Sequence, residues 1–477
     1  MSRARRDVLK KIHPLFGGVR VLPRQLSLKE TFFLGIGGQS PLLSLFAYGI
    51  AVVGITSLVS PIVMILGTVL VLLNGLVVNR LASRYDASGG YYTYAFNALS
   101  RRLGFQTGWL YVFYSVLYGS AYVFASAFLL RTVFGLPVVL GISVVVLPAL
   151  ALLLFGIKPS SKYAQFAAMA EIAILVATFV SFSYQAHFVF YNPVSQLSGT
   201  APGKIALGIL LAAAIPTGYG TLAPISGEIV DAHRNVGKSV VYIIATGGLL
   251  AILFVYSVMN VYVARGLPLD LSLNGAHVIG TVSLAFGFAT VPVIAFAALS
   301  DGILSVLAFM TAASRTVYKM GYDGVLPSTL ARVRGSRPLV ASLVVGAAYL
   351  AIAYVLSSST DPFSVFLGLG IVAGMAGLVT HIAANASLIR IALGNIGGRL
   401  TVSRAMHILE VALGAVAAAF SASDLAFSFS QVIPIFIYAF MVWIIAGYVY
   451  ADVREMVGEV QPEAEKATGE EPVKGGR

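Results

Sequence analysis

The sequence predicts an all-α polytopic membrane protein with twelve transmembrane helices, two of them broken in mid-span. Three observations predict it. Of 477 residues, 58% are hydrophobic and only 10% charged, with mean hydropathy +0.89; a soluble domain carries about 25% charged residues. Thr31–Asn79, Leu103–Leu130, Thr132–Ile157, Ile205–Gly227, Ser239–Ala264 and Leu425–Ala451 contain no Asp, Glu, Lys or Arg. A Gly/Pro cluster occurs twice, at matching places in the two halves of the chain.

A bilayer core needs about 20 consecutive apolar residues as helix, so each charge-free stretch holds at least one span. The first holds two, 31–55 and 61–80, because Thr56–Pro61 supplies a turn. The others follow at 105–131, 137–157, 163–186, 204–229, 239–264, 284–320, 338–357, 364–391, 404–422 and 430–451. Residues 1–30 are basic and lack the apolar core of a signal peptide. They are expected to form a cytoplasmic segment, and the acidic residues 452–477 a disordered cytoplasmic tail. The loops leave no room for a separate soluble domain.

Loop charge sets the orientation. With twelve spans and the N-terminus inside, all of the 31 Lys and Arg but Arg131, Lys204 and Arg265 fall on the cytoplasmic side. A wrong span count would scramble that asymmetry. The net charge of +12 is therefore a property of inner loops and does not indicate a nucleic-acid partner. Cysteine is absent, which excludes disulfides, a thiol nucleophile and cysteine metal sites. His381 and Asn385 lie one turn apart with no second histidine nearby in sequence, so no metal site is expected. No cofactor is implied.

Span 1 carries Gly35-Ile-Gly37-Gly-Gln-Ser-Pro41-Leu, and span 6 carries Gly218-Tyr-Gly220-Thr-Leu-Ala-Pro224-Ile. The pattern G-x-G-x-x-(S/A)-P-(L/I) thus recurs five spans later. Five is odd, so the copies run in opposite directions through the membrane. Glycine and proline are common in membrane helices for kinks and close packing alone, but paired interruptions in inverted halves point to a midplane binding site. An interrupted helix leaves N–H and C=O groups unpaired, costing several kcal/mol each at that depth. A zwitterionic amino acid satisfies both kinds: its carboxylate suits a half-helix N-terminus and its ammonium suits carbonyls. Gly35, Gly37 and Gly38 are expected to allow close backbone approach, Ser40 to add a hydroxyl, and Pro41 to open the second half-helix.

Three blocks carry a family resemblance. Gly218–Val240, GYGTLAPISGEIVDAHRNVGKSV, resembles the helix 6 signature GFE…EE-x-x-NP-x-R-x-x-P of the amino acid–polyamine–organocation (APC) transporter superfamily. Glu228, Arg234 and Asn235 match it; Gly220, Asp231, Ala232 and Gly237 depart from it. Ser88-Gly-Gly-Tyr-Tyr-Thr-Tyr94 with Gly108-Trp109 looks like the SGG-x-Y-x-Y…GW block, and Ser314-Arg315…Tyr318…Asp323-Gly324-Val-Leu-Pro327 like the SR…YAMARDG-LLP block. The resemblance implies a LeuT-type fold, with inverted repeats over about 31–190 and 204–391 and peripheral helices over 404–451. It also implies amino acids or related amines as substrates.

On that reading Thr217, Tyr219, Gly220 and Thr221 line the span 6 side of the site. Many relatives carry a large aromatic residue where Ala214 stands here. Tyr111, Tyr114, Tyr118 and Tyr122 share one face of span 3; Tyr114 and Tyr118 are candidates for substrate contact, with a packing stripe as the alternative. Ionisable groups within spans are costly and suggest function. Glu171, reached by alignment through Gly156-Ile-Lys-Pro-Ser-Ser-Lys162, stands where some proton-coupled relatives carry a lysine, and is a candidate proton carrier. Asp301 and Ser305, on one face of span 8, are candidates for ion or proton coupling, although either acid equally suits a structural partnership. Glu228, Asp231 and Arg234 are expected to form a cytoplasmic gate.

No nucleophile–base pair or HExxH motif is present to support an enzyme, and a scaffold has no need of matched helix breaks. The expectation is a cell-membrane secondary transporter for amino acids, by proton symport. Exchange, or polyamine and organocation transport, is the alternative, and sodium symport a weaker one. The lipid bilayer and a small-molecule substrate are the expected partners; oligomeric state has no signal.

Overall fold

A computed structural model describes residues 21–267, 275–358, 361–394, 402–429 and 434–467. The first 20 residues of the expected N-terminal segment and the last ten of the expected tail, 468–477, lie outside it. The described residues form helices and two isolated β-bridges, with no strand.

Among the described residues, eleven helical segments are long and apolar enough to cross a membrane. The first, Leu28–Ala82, has 55 residues. As one straight helix it would reach about 80 Å, far beyond a hydrocarbon core of about 30 Å, and it is interrupted instead. It comprises α1 (Leu28–Gln39), α2 (Pro41–Ser44), a π-helical stretch Leu45–Gly49, α3 (Ile50–Thr56), and, after a 3₁₀ turn, α4 (Ser60–Ala82). The break expected before Pro41 falls at Ser40, which is left-handed with φ 51°. Proline disfavours helical geometry in the residue before it and has no N–H to leave unpaired. Ser57, at φ 49°, makes the second interruption, and Pro61 follows in the first turn of α4.

After α5 (Tyr91–Ala98), the long α6 (Arg101–Phe134) runs through the middle of the bundle and is mostly buried. It packs against α13 (Gly302–Tyr322) and α15 (Pro362–Gly394). Between α5 and α15 in chain order come α7 (Val138–Phe155), α8 (Ile157–Gln185), α9 (Pro202–Ala214), α10 (Ala232–Ala264), α11 (Gly275–Phe286), α12 (Thr290–Phe296), α13 and α14 (Leu339–Leu356). The chain closes with α16 (Val402–Phe429) and α17 (Pro434–Ala467). α17 continues as helix to Ala467, into the segment the sequence assigns to the tail.

α9 ends where Ile215-Pro216 begins, and the chain continues as 3₁₀ helix over Ile215–Thr221 and Ala223–Glu228. Pro216 is non-helical at φ −83°, ψ 16°. The two interrupted segments lie against each other. A Cβ on Gly218 would sit 2.1 Å from the Gln39 backbone nitrogen, and one on Gly38 would sit 2.9 Å from the Gly218 carbonyl oxygen. Glycine is the residue that allows this backbone contact.

Ion pairs between distant segments gather at the end that the charge rule assigns to one side: Arg24 with Asp86, Arg84 with Glu410 of the last long spans, Arg102 with Asp452, and Lys158 with Glu30. At the other end, Arg265 donates to Gln185 and Tyr191 to the Leu58 carbonyl.

Candidate functional site

The break in span 1 is held by Asp301. Ser40 Oγ donates to Asp301 Oδ1 at 2.6 Å, and the Leu43 N–H donates to Oδ2 at 2.7 Å. Asp301 is fully buried and ends a π-helical stretch, Ala297–Asp301, just before α13. That stretch packs against α2. The first turn of a helix has free N–H groups and a positive end, and here a carboxylate from another span meets both. Ser305, one turn on, is buried with its hydroxyl unpartnered.

The opposing break exposes carbonyls, and side chains reach them from two directions. Tyr118 OH donates to the Ala214 carbonyl, which also accepts from Thr217 Oγ1 at 2.6 Å. Tyr111 OH donates to the Gly220 carbonyl at 2.9 Å, and Thr221 Oγ1 to that of Gly218 at 2.8 Å. Gln39 Nε2 donates to Pro216 O at 3.1 Å and to Ile243 O at 3.0 Å. Space for the Gln39 amide comes from Gly247, where a Cβ would lie 2.1 Å from Oε1. The tyrosine stripe of α6 therefore also satisfies the broken span, a role that was invisible in its spacing.

A narrow cavity of about 50 Å³, room for a few waters, lies beside this junction. Tyr114, Tyr118, Thr217 and Tyr219 line it, as does Ala214. Gly35, Gly37, Gly38, Ser40, Gly220 and Thr221 do not. Gly35 faces Ile243 and Gly37 faces Leu304, at 2.2 and 2.4 Å from the positions a Cβ would take, so both serve helix contacts. The remaining wall includes Tyr48, Asn74, His381 and Asp424, none singled out as site residues from sequence. Tyr219 OH and His381 Nε2 are 3.3 Å apart, and Tyr91 meets the imidazole edge-on at 5.1 Å. Asn385 Nδ2 donates to Asn74 Oδ1, and Asn74 Nδ2 to Ser421 Oγ, each at 3.1 Å. This chain of polar groups ties α15, α4 and α16 together one turn from Asp424.

Glu171 on α8 is fully buried, and neither carboxylate oxygen has a hydrogen-bond partner. It is within electrostatic reach of Asp301, and Tyr163, two turns earlier on α8, donates to the Ser300 carbonyl at 2.9 Å.

At the end that loop charge places inside, Glu228 pairs with Arg315 rather than Arg234. Arg315 Nε donates to Glu228 Oε1 at 2.7 Å and Nη2 to Oε2 at 3.4 Å, with both side chains essentially inaccessible. Asp231 and Arg234 are exposed, and among the described residues neither enters an ion pair. The chain turns outward at Asp231, φ 49°, which separates them from Glu228. Leu26 and Ile229 form a parallel bridge, so residues just before α1 are pinned across the end of the broken span. Partial burial raises the Asp86 carboxyl, but the Arg24 hydrogen bond and charge, with His233 nearby, outweigh it and hold the group below the usual carboxylate range.

An all-helical bundle with two apposed, interrupted segments beside an aromatic-lined cavity defines a polytopic membrane protein. The amino acid permease family profile matches residues 31–457, and the chain belongs to that family, whose members are transporters rather than enzymes. An uncharacterized transporter of Mycobacterium bovis and its counterparts in two Mycobacterium tuberculosis strains are each 27% identical over 289 residues. The match covers 57% of this chain and 61% of each relative, so the chain spans about three fifths of their length.

Proposed function

We propose that this chain is a secondary active transporter of the cell membrane, moving a small amine-bearing solute, an amino acid or a related amine, by alternating access with proton symport. Twelve crossings, two of them within Leu28–Ala82, in a LeuT-type arrangement with both termini cytoplasmic, account best for the opposed breaks and the one-sided ion pairs. Substrate enters at the cavity walled by Tyr114, Tyr118, Thr217 and Tyr219, between the broken spans and α6. The contacts of Gly38 and Gly218 form the hinge seam, and the Glu228–Arg315 pair belongs to the inner gate.

One observation carries the coupling: Glu171 is a buried carboxyl without a partner, near the carboxyl that latches the break in span 1. An unpaired charge at that depth costs several kcal/mol. A group alternately hydrated and buried as the spans move gains and loses a proton in step with them. Proton exchange at Glu171 then alters the field at Asp301, and with it the hold on Ser40 and Leu43.

A pH electrode in a lightly buffered suspension of proteoliposomes tests this, with solute added and protein-free vesicles subtracted. Alkalinisation of the medium during net uptake is expected. Uptake without proton movement, requiring sodium, would remove the proton from the account.

A further inference from the structure

The N–H groups at the break in span 1 are all engaged within the chain. Ser40 N–H donates to Ile36 and Gly37 carbonyls, Pro41 has none, and Ser44 N–H donates to the Ser40 carbonyl at 2.8 Å. Leu43, and with it the Leu42 backbone, serves Asp301. The helix end that would receive a ligand carboxylate already holds one from the protein, fixed by Ser40 and fully buried.

The cavity is complementary to the opposite charge. Among its lining residues there is no Lys or Arg. Asp424 is buried in its wall, and Tyr114 and Tyr118 line it as well. Tyr48, 1% exposed, lines the same cavity with a hydroxyl that has no hydrogen-bond partner. The basic side chain present, His381, is engaged through Nε2 with Tyr219. A carboxylate placed here would be stripped of water beside Asp424 with no fixed cation to meet it. An ammonium would find an acid, an aromatic lining and the Tyr48 hydroxyl.

We propose that the solute is an organic monoamine without a carboxylate, its ammonium toward Asp424 and its apolar body against the aliphatic wall of Leu70, Val71 and Leu211. A single acid on the wall favours one ammonium over the two of a diamine. This inference rests on the transporter reading above and narrows its substrate.

Matched pairs test it on the purified full chain in detergent: 2-phenylethylamine against phenylalanine, and 3-methylbutylamine against leucine, with putrescine as the diamine. Thermal stabilisation and displacement of labelled 2-phenylethylamine are read. Each monoamine should act at a concentration at least about tenfold below its amino acid and below putrescine, and Asp424→Asn should raise that concentration about tenfold. Should Asp424→Asn fail to fold, the wild-type pairs decide alone. Phenylalanine or leucine binding as well as its amine overturns the monoamine inference and leaves the transporter reading standing. No binding by any member of the panel overturns the monoamine inference likewise, and the transporter reading is then judged by the proton movement measured above.

Discussion

Ser40 and Asp301, 261 positions apart in the chain, are joined by a 2.6 Å hydrogen bond at the point where span 1 stops being helical. The bond makes the break a two-span structure: the left-handed Ser40 backbone, Pro41 and the α2 N-terminus come from one segment, and the carboxylate that stabilises them from another. A carboxylate accepting from a backbone N–H and a hydroxyl forms charge-assisted bonds, roughly twice as strong as neutral ones. Movement of span 8 against span 1 therefore has to break or carry this contact.

The glycines of the apposed breaks should differ sharply in tolerance. A Cβ at Gly218 meets backbone at 2.1 and 2.4 Å, whereas one at Gly220 meets only the Tyr91 hydroxyl, at 3.4 Å. Gly218→Ala should destabilise by about 1–3 kcal/mol or more, and Gly220→Ala should stay within about 0.5 kcal/mol of wild type. Thermal unfolding in detergent, followed by size-exclusion recovery, gives the comparison. Equal stability of the two variants would dissolve the Gly38–Gly218 seam.

The buried Glu228–Arg315 pair should behave as a unit. Removing one partner leaves an uncompensated buried charge, so Glu228→Gln or Arg315→Met alone should cost about 3–5 kcal/mol. The double variant Glu228→Gln/Arg315→Met should recover much of that loss. Additive losses would mean that the two side chains act independently.

Orientation is testable without background, because the chain has no cysteine. Cysteine at the exposed Ser198 should react with an impermeant maleimide in intact cells. Cysteine at the half-exposed Ser336 should react only after permeabilisation. The reverse pattern would invert the topology.

Much of this architecture was legible because membrane helices announce themselves by length and missing charge. The break at Ser40 was legible because proline constrains its neighbour wherever it occurs. Which residues face the cavity was harder to read. A helix apolar all round gives no period to separate its inner face from its lipid face, so sequence could not show that a Cβ at Gly35 or Gly37 would meet Ile243 or Leu304. Gly218 was quoted in the repeat but passed over in favour of Gly220, since the distinction depends on where Gln39 lies. Asp424 stood just past the expected end of span 11 at 422 and therefore read as loop, whereas α16 continues to Phe429. Arg315 stood in the Ser-Arg block of the family resemblance, but its partnership with Glu228 required the tertiary fold.

Glu171→Gln should keep solute exchange and lose concentrative uptake. Glutamine preserves shape but cannot carry a proton, and Glu171 has no hydrogen bond to lose. Exchange of labelled for unlabelled solute across proteoliposomes should remain within about twofold of wild type, a change worth only about 0.4 kcal/mol. Wild-type accumulation and pH dependence in the variant would make Glu171 structural and pass its role to Asp301.

The most direct measurement is accumulation of labelled solute in proteoliposomes under an imposed gradient, with the outside acidic. Labelled 2-phenylethylamine and labelled leucine serve as probes, with and without a protonophore, and with sodium as the separate arm. A weak base left to itself distributes toward the acidic side, so accumulation of the amine inside could not arise passively. The account predicts that at least one probe rises above its equilibrium level inside, that the protonophore collapses the rise, and that sodium adds nothing. Accumulation driven by sodium alone, or uptake of both probes that never exceeds equilibrium under either gradient, would contradict it.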